Sequence, residues 1–348
     1  MCTDTSSDQR TVSTTEGESE MNYRVLGKTG FNVSEISLGT WQLGAKWGDA
    51  FDPKVARETL ETAFDSGVNF YDTADVYNDG LSEKALGPFI RDKGGKVIVA
   101  TKCGRQLSPH TAQKYTCRAI TDFVEDSLGR MGVESLQLVQ LHCPPTDVYY
   151  NPEVFDCLDK LQKSGKIQHY GVSIERVEEG LKALEYDGVA SIQVIYNVFR
   201  QRPEELLFPM AKERNVGIIC RVPLASGMLT GKFSRDTVFG ANDHRFFNRK
   251  GESFDRGETF AGVPFELGLD AVEALQSKLG PDVSLASAAL KWILRRAEVS
   301  CVITGASAPS QIERNTDVST QNDLTPAQLD AIDDVYRTMI KEHVHHIW

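Results

Sequence analysis

The sequence predicts an α/β fold: a (β/α)8 TIM barrel with an N-terminal β-hairpin and an extra helix after strand seven. Three observations point there. Eight short apolar runs alternate with longer segments of helical spacing. No G-x-G-x-x-G follows the first run, where an open, doubly wound sheet usually announces itself. Two short β-prone segments joined by a Gly-Lys-Thr-Gly turn precede that run.

The runs are Ile36–Gly39, Val68–Tyr71, Val97–Ala100, Leu136–Leu141, Ile167–Val172, Ile192–Ile195, Gly217–Cys220 and Val299–Ile303. Continuous apolar runs of this length suit strands buried on both faces, as in a parallel sheet. Between them, Ala56, Leu60, Ala63 and Phe64 fall on one helical face. So do Ile120, Phe123, Val124, Leu128 and Met131, and again Ala286, Ala289, Leu290 and Ile293. Gly67, Gly132 and Gly165 follow helices where a left-handed cap is wanted. Eight strand–helix units favour a closed barrel.

The rhythm breaks once, between Cys220 and Val299. Lys232 to Gly262 reads as a long functional loop, followed by an added helix near Phe265–Leu279. Asp330–Met339 predicts a last helix packed across the barrel. Tyr23–Leu26 and Val33–Ile36 predict a hairpin that plugs the N-terminal mouth.

The chain divides into a disordered polar tail over residues 1–20 and a barrel over 21–348, with Met21 a second candidate start. The tail has no apolar h-region, so a signal peptide is not expected. A formal net charge of −11 leaves no basic footprint for nucleic acid. No apolar run reaches membrane-spanning length. The seven cysteines are scattered and form no Cys-x-x-Cys pair. That spacing predicts neither a disulfide framework nor a metal site, and hence a reducing, cytoplasmic setting. Oligomeric state is not legible.

In a barrel of this type the chemistry sits where strands end and βα loops begin. The second predicted strand delivers Asp72, with Tyr77 five residues further on; the third delivers Lys102 and the fourth His142. Singly, each has a plain reading: a helix cap, a solvated cation, a packed ring, a structural imidazole. Together they form an acid set. Reducing a carbonyl takes a hydride at carbon and a proton at oxygen. A phenol with an ordinary pKa near ~10 gives its proton reluctantly. An ammonium at about 4 Å, in an effective dielectric of ~20, is worth about 4 kcal/mol. That would lower the phenol pKa by about two to three, at about 1.4 kcal/mol each. Asp72 would hold Lys102 charged, and His142 would orient the carbonyl oxygen.

These segments resemble the aldo-keto reductase superfamily: Asn69 to Tyr77, Ala100-Thr101-Lys102, Gln140 to Pro144, Gly171-Val172-Ser173, Pro223-Leu224-Ala225-Ser226-Gly227, Gly231-Lys232 and Thr304-Gly305-Ala306-Ser307. The likeness spans essentially everything after Met21 and is greatest for the bacterial-type branch that includes potassium-channel β subunits. It implies Asp72, Tyr77, Lys102 and His142 as the catalytic tetrad, with Tyr77 as proton donor. It also implies an extended NADP across the mouth, NAD being the alternative, and a small carbonyl substrate.

Cofactor contacts implied by the resemblance are Thr40, Trp41, Ser173, Gln193, Pro223 and Leu224, with Gly305, Ser307, Gln311 and Asn315 at the adenine end. Ile174 stands where the family often has Asn, so one amide contact is missing or replaced. Arg221 takes the place of a flat aromatic against the nicotinamide: it stacks there, or is ion-paired at the rim. Lys232 and Arg245 would clamp phosphates. Arg314 replaces a common Glu and either serves a 2′-phosphate or points to solvent. Trp47 and Tyr149 are candidate substrate walls, or plain packing residues. The competing readings are a cofactor-binding regulatory subunit with little turnover, and an unrelated barrel enzyme.

Overall fold

Val189 to Ile195 is buried at every position, so neither face of this strand meets water. That is the signature of a parallel strand with side chains packed inside a barrel and helices outside. The computed structural model describes residues 21–44 and 50–348. The barrel strands are β3 (Ile36–Gly39), β4 (Phe70–Asp72), β5 (Ile98–Cys103), β6 (Leu136–His142), β7 (Ile167–Ser173), β8 (Val189–Ile195), β9 (Gly217–Arg221) and β10 (Val299–Gly305). They pair in parallel in that order, and β10 returns to β3 to close the ring. The two remaining strands, β1 (Tyr23–Val25) and β2 (Asn32–Ser34), form an antiparallel hairpin.

The hairpin closes the floor. Leu26 and Val33 join Phe70, Ala100, Leu138, Ile219, Cys301 and Ile303 in one buried cluster inside the barrel. The turn approaches β9 so closely that a Cβ on Gly27 would lie 2.2 Å from the Gly217 nitrogen, and Gly27 itself sits at φ +48. Only glycine serves there. With the floor plugged, access is through the opposite, C-terminal mouth.

The outer helices follow local signals. Helix α1 (Pro53–Asp65) opens on Asp52, whose carboxylate accepts from the Lys54 and Val55 nitrogens, with Pro at its first position. Helix α2 spans Leu81–Lys93, α3 Cys117–Met131 and α4 Pro152–Lys163. Helix α5 spans Val177–Ala183 and α6 Leu207–Glu213. Gly132, at φ 62, closes α3. After β9 the chain makes a short helix α7 (His244–Phe247), then α8 (Phe265–Leu279) and α9 (Leu285–Leu294). Helix α10 (Pro309–Thr316) follows β10.

The last helix departs from expectation. It starts earlier, as α11 (Pro326–Val335), because Thr325 and Gln328 form a capping box. It then widens into a π turn over Tyr336–Ile340 and ends as α12 (Lys341–Val344).

Two sequence expectations need correction. Cys117 and Cys157 form a disulfide, with their Cα atoms 5.4 Å apart. Spacing along the chain concealed it because the two residues meet only when α3 and α4 become neighbours in the ring. The inference of a reducing setting from unpaired cysteines loses its premise. Tyr149 is completely buried, its hydroxyl 3.5 Å from the Ser173 carbonyl, so it packs the core and lines no open wall. Trp47 and the 1–20 tail lie outside the described residues. Among the described residues no helix is long and apolar enough to cross a membrane.

Candidate active site

The register of the barrel sets the site. Asp72 stands level with Gly39 and Ala100, Lys102 with Gln140, His142 with Ser173, and Ser173 with Gln193. From β4 to β6 each strand's site residue lies two positions beyond the partner of the one before, the stagger of tilted barrel strands, and this brings Asp72, Lys102 and His142 to one rim. Tyr77 arrives from a short 3-10 turn that follows β4.

Lys102 is the hub. Its Nζ donates to Asp72 Oδ2, to the Thr73 carbonyl at 2.9 Å and to the Tyr77 hydroxyl at 3.3 Å. All three ammonium donors are used. The other Asp72 oxygen accepts from Gln193 Nε2 at 2.8 Å. The His142 ring meets the Tyr77 ring edge-on, with centroids 5.9 Å apart, and Trp41 stacks with the Tyr77 ring at 6.2 Å. The four predicted groups are thus gathered at one place.

The electrostatics correct one expectation. Burial raises the Tyr77 pKa, and Lys102 only offsets this in part, so the net direction is up. The anticipated fall assumed a half-solvated phenol. Burial lowers Lys102, but Asp72 and Tyr77 more than reverse it, and the amine stays charged. Burial, then Arg105, Lys102 and Arg221, hold His142 well below the ordinary imidazole value. Its Nδ1 is buried with no hydrogen-bond partner among the described residues. Neutral imidazole is therefore the resting form.

The implied cofactor residues divide. The Thr40 hydroxyl is spent on the Asp72 carbonyl, 3.1 Å away. Trp41 faces Tyr77, and Ser173 is buried beside Cys143. Gln193 buttresses Asp72. Pro223 is buried, and the Leu224 carbonyl closes the turn after β9. Arg245 forks onto Asp243. The Gln311 side-chain oxygen Oε1 accepts from the Ser307 backbone nitrogen at 2.6 Å, fixing the entry to α10. Asn315 is half-buried on α10, and Gly305 ends β10. Lys232 and Arg314 are exposed, with no ion pair or hydrogen bond among the described residues.

Arg221 is ion-paired at the rim. It donates to Glu175 at 3.0 Å and to the Ile174 carbonyl at 3.1 Å, and lies 3.8 Å from Glu258. Its Nε is buried and unpartnered. Cys143, Glu175 and Glu258 bring ligand-type atoms within 4.8 Å of one another, but Arg221 donates to the first two and holds the cation's place.

Sequence reasoning missed this network. Glu175 lies two residues past Ser173 and Arg105 three past Lys102, so a search of every strand-end loop for charges would have found both. Glu258 carries no such signal.

The donor set fits a dinucleotide. An orphaned Arg221 Nε sits near the reacting end, and two unpaired cations, Lys232 and Arg314, stand in the loop after β9 and on α10. Two surface cavities, of 420 and 460 Å³, lie by the hairpin instead and contain none of the tetrad.

Comparison with known proteins agrees with the geometry. The Aldo/keto reductase family model matches residues 35–337. Aldo-keto reductase YhdN of Bacillus subtilis is 30% identical over 304 residues, covering 86% of this chain and 89% of that protein. A probable voltage-gated potassium channel subunit beta of Arabidopsis thaliana is 29% identical, covering 92% and 98%. A holo-form aldo-keto reductase structure from Bacillus halodurans superposes with a TM-score of 0.75 at 25% identity, covering 94% and 100%. The chain belongs to the aldo/keto reductase family, oxidoreductases that act on carbonyl compounds with NAD(P)H.

Proposed function

We propose that this chain is an NADP-preferring reductase of aldehydes and small ketones, with Tyr77 as proton donor. One observation carries the reading: a single buried ammonium, Lys102, touches both Asp72 and the Tyr77 hydroxyl beside a neutral His142.

A bound nicotinamide dinucleotide supplies the hydride. Ser173, Trp41 and Arg221 would hold its reacting end; Lys232, Ser307 and Arg314 would hold its phosphates. The chain's own residues manage the proton. The raised Tyr77 pKa keeps the phenol protonated at neutral pH, ready to give its proton to the developing alkoxide. Lys102 stabilises the phenolate left behind, and Asp72 with Gln193 keeps Lys102 aimed. His142, neutral and pressed against the Tyr77 ring, orients the carbonyl oxygen without competing for the proton. The unpaired Arg314 supports the NADP preference through a 2′-phosphate contact.

A Tyr77→Phe variant is expected to lose about 10²- to 10⁴-fold in kcat while still binding NADPH, the usual worth of a positioned acid. Unchanged turnover would remove Tyr77 from the role. Arg314→Ala should weaken NADPH binding while leaving NADH binding alone.

A second reading, a cofactor-binding regulatory subunit, is favoured by the likeness to the Arabidopsis thaliana channel subunit. Tight NADPH binding with no turnover across a panel of aldehydes and ketones would select it.

A further inference from the structure

Arg105 follows β5 at the reacting end, three residues beyond Lys102. Its Nη1 donates to Glu258 at 3.0 Å, and the guanidinium lies 5.6 Å from the Phe254 ring centre. Those are its contacts among the described residues. Nε and Nη2 have no hydrogen-bond partner among the described residues, and 22% of the side chain remains open. One edge of a planar fork is fixed by the long loop and the other edge is unspent. A fork with a free edge is the geometry that takes a carboxylate through two parallel hydrogen bonds.

The local charge count points the same way. Arg105 and Arg221 bring Glu258 down to about 2 against the cost of its burial, so it is ionised. Burial and the Glu258 charge push Glu175 up to about 8 against the pull of Arg221, so it is mostly neutral at pH 7. Two guanidinium cations then face one carboxylate, while Lys102 offsets Asp72 and the buried Arg200 offsets Asp255 behind them. The surplus charge stands near the reacting groups, since Arg105 is the foremost charge acting on His142. A chain with net charge −11 retains a local cation surplus where substrate must lie.

We propose that Arg105 is a substrate-anchoring residue that selects carbonyl compounds bearing a carboxylate a few bonds from the reacting carbon. Glu258 positions it by gripping the opposite edge of the fork. The inference rests on the carbonyl-reductase reading above.

The test pairs succinate semialdehyde with butanal, which share a four-carbon chain and differ in the carboxylate, at saturating NADPH. The expected result is a kcat/KM at least tenfold higher for the semialdehyde. Arg105→Met should lower that value at least 30-fold, mainly through KM, and lower the butanal value by a clearly smaller factor. Arg105→Lys, which keeps the charge without the fork, should recover part of the loss. Unmodified protein gives an independent check, needed if a variant folds poorly: succinate should inhibit butanal reduction competitively, and succinamide should not. Equal losses on both aldehydes in Arg105→Met, no anionic preference in the parent, or equal inhibition by succinate and succinamide would each overturn the anchoring role. Failure to reduce either aldehyde would instead bring down the reductase reading, and this inference with it.

Discussion

Two carboxyl groups share Arg221, which pulls both pKa values down, yet their net shifts run in opposite directions. Glu175 has its folded-state pKa raised to about 8, by burial first and then by the Glu258 charge. Folding therefore favours its protonated form. The stability this gives is fully present below the unfolded pKa, about 4.3, and is lost as pH rises through about 8. Glu258 runs the other way. Burial alone would raise it, but Arg105 and Arg221 bring it down to about 2. Its contribution is present above the unfolded value and lost as pH falls toward 2. The expected outcome is a urea midpoint that declines between about pH 4.5 and 8 and levels off above, and a Glu175→Gln variant in which that decline is flattened. A decline of the same slope in the variant would reject Glu175 as its source. Along the chain only the candidates could be read, Arg221 as a cation at the rim and Glu175 as a charge just past a strand end, and not the opposed shifts. Asp72, Lys102 and His142 were legible because each ends an apolar run, where barrel geometry dictates the direction of the side chain. The pairing of Arg221 with Glu175 and Glu258 depends on how a loop returns across the mouth, and no local pattern encodes that.

The loop after β9 is an element with its own small core. Phe239 lies 5.2 Å from Phe233 and 5.8 Å from both Phe260 and Phe265, ring centre to ring centre. Arg245 caps the Phe239 ring at 4.7 Å. The arginine foreseen as a phosphate clamp is thus also part of the loop's packing, and Asp243 holds it there. Trp348 secures the loop's far end. Its Nε1 donates to Asp255 at 2.8 Å, and the buried Arg200 lies 4.1 Å from its ring centre. A Cβ on Gly262 would come within 2.4 Å of the indole. Truncating a buried aromatic of this kind costs about 3–5 kcal/mol. Trp348→Ala is therefore expected to lower unfolding stability by about 3 kcal/mol. Because Asp255 stands three residues before Glu258, trypsin should also cut at Arg256 sooner than elsewhere in the barrel. Cleavage no faster than in the parent would mean that Trp348 packs against the loop without restraining it. The boundaries of α8 were legible from spacing alone, since one of its faces is buried along its whole length. The intervening loop was legible only as long and charged, because its aromatics pack with one another in no periodic order.

At the scale of the whole molecule, ring closure creates contacts that local spacing cannot foretell, and the disulfide is the plainest case. Helices α3 and α4 are consecutive in the ring, and Cys117 and Cys157 join them across a sequence separation of 40. The loop-entropy argument gives about 4 kcal/mol for cross-linking a segment of about 40 residues, by restricting the unfolded chain. The four other described cysteines, Cys103, Cys143, Cys220 and Cys301, are buried and free. Alkylation of the denatured, unreduced protein should therefore leave two of the seven cysteines blocked. Reduction, or a Cys117→Ser/Cys157→Ser double variant, should lower unfolding stability by up to about 4 kcal/mol in urea. Turnover below the transition should be unchanged, because the bridge ties outer helices while the tetrad hangs from strand ends. Full alkylation without reductant would show that the two thiols meet without bonding. A loss of turnover matching the loss of stability would show instead that the outer ring and the catalytic rim unfold together.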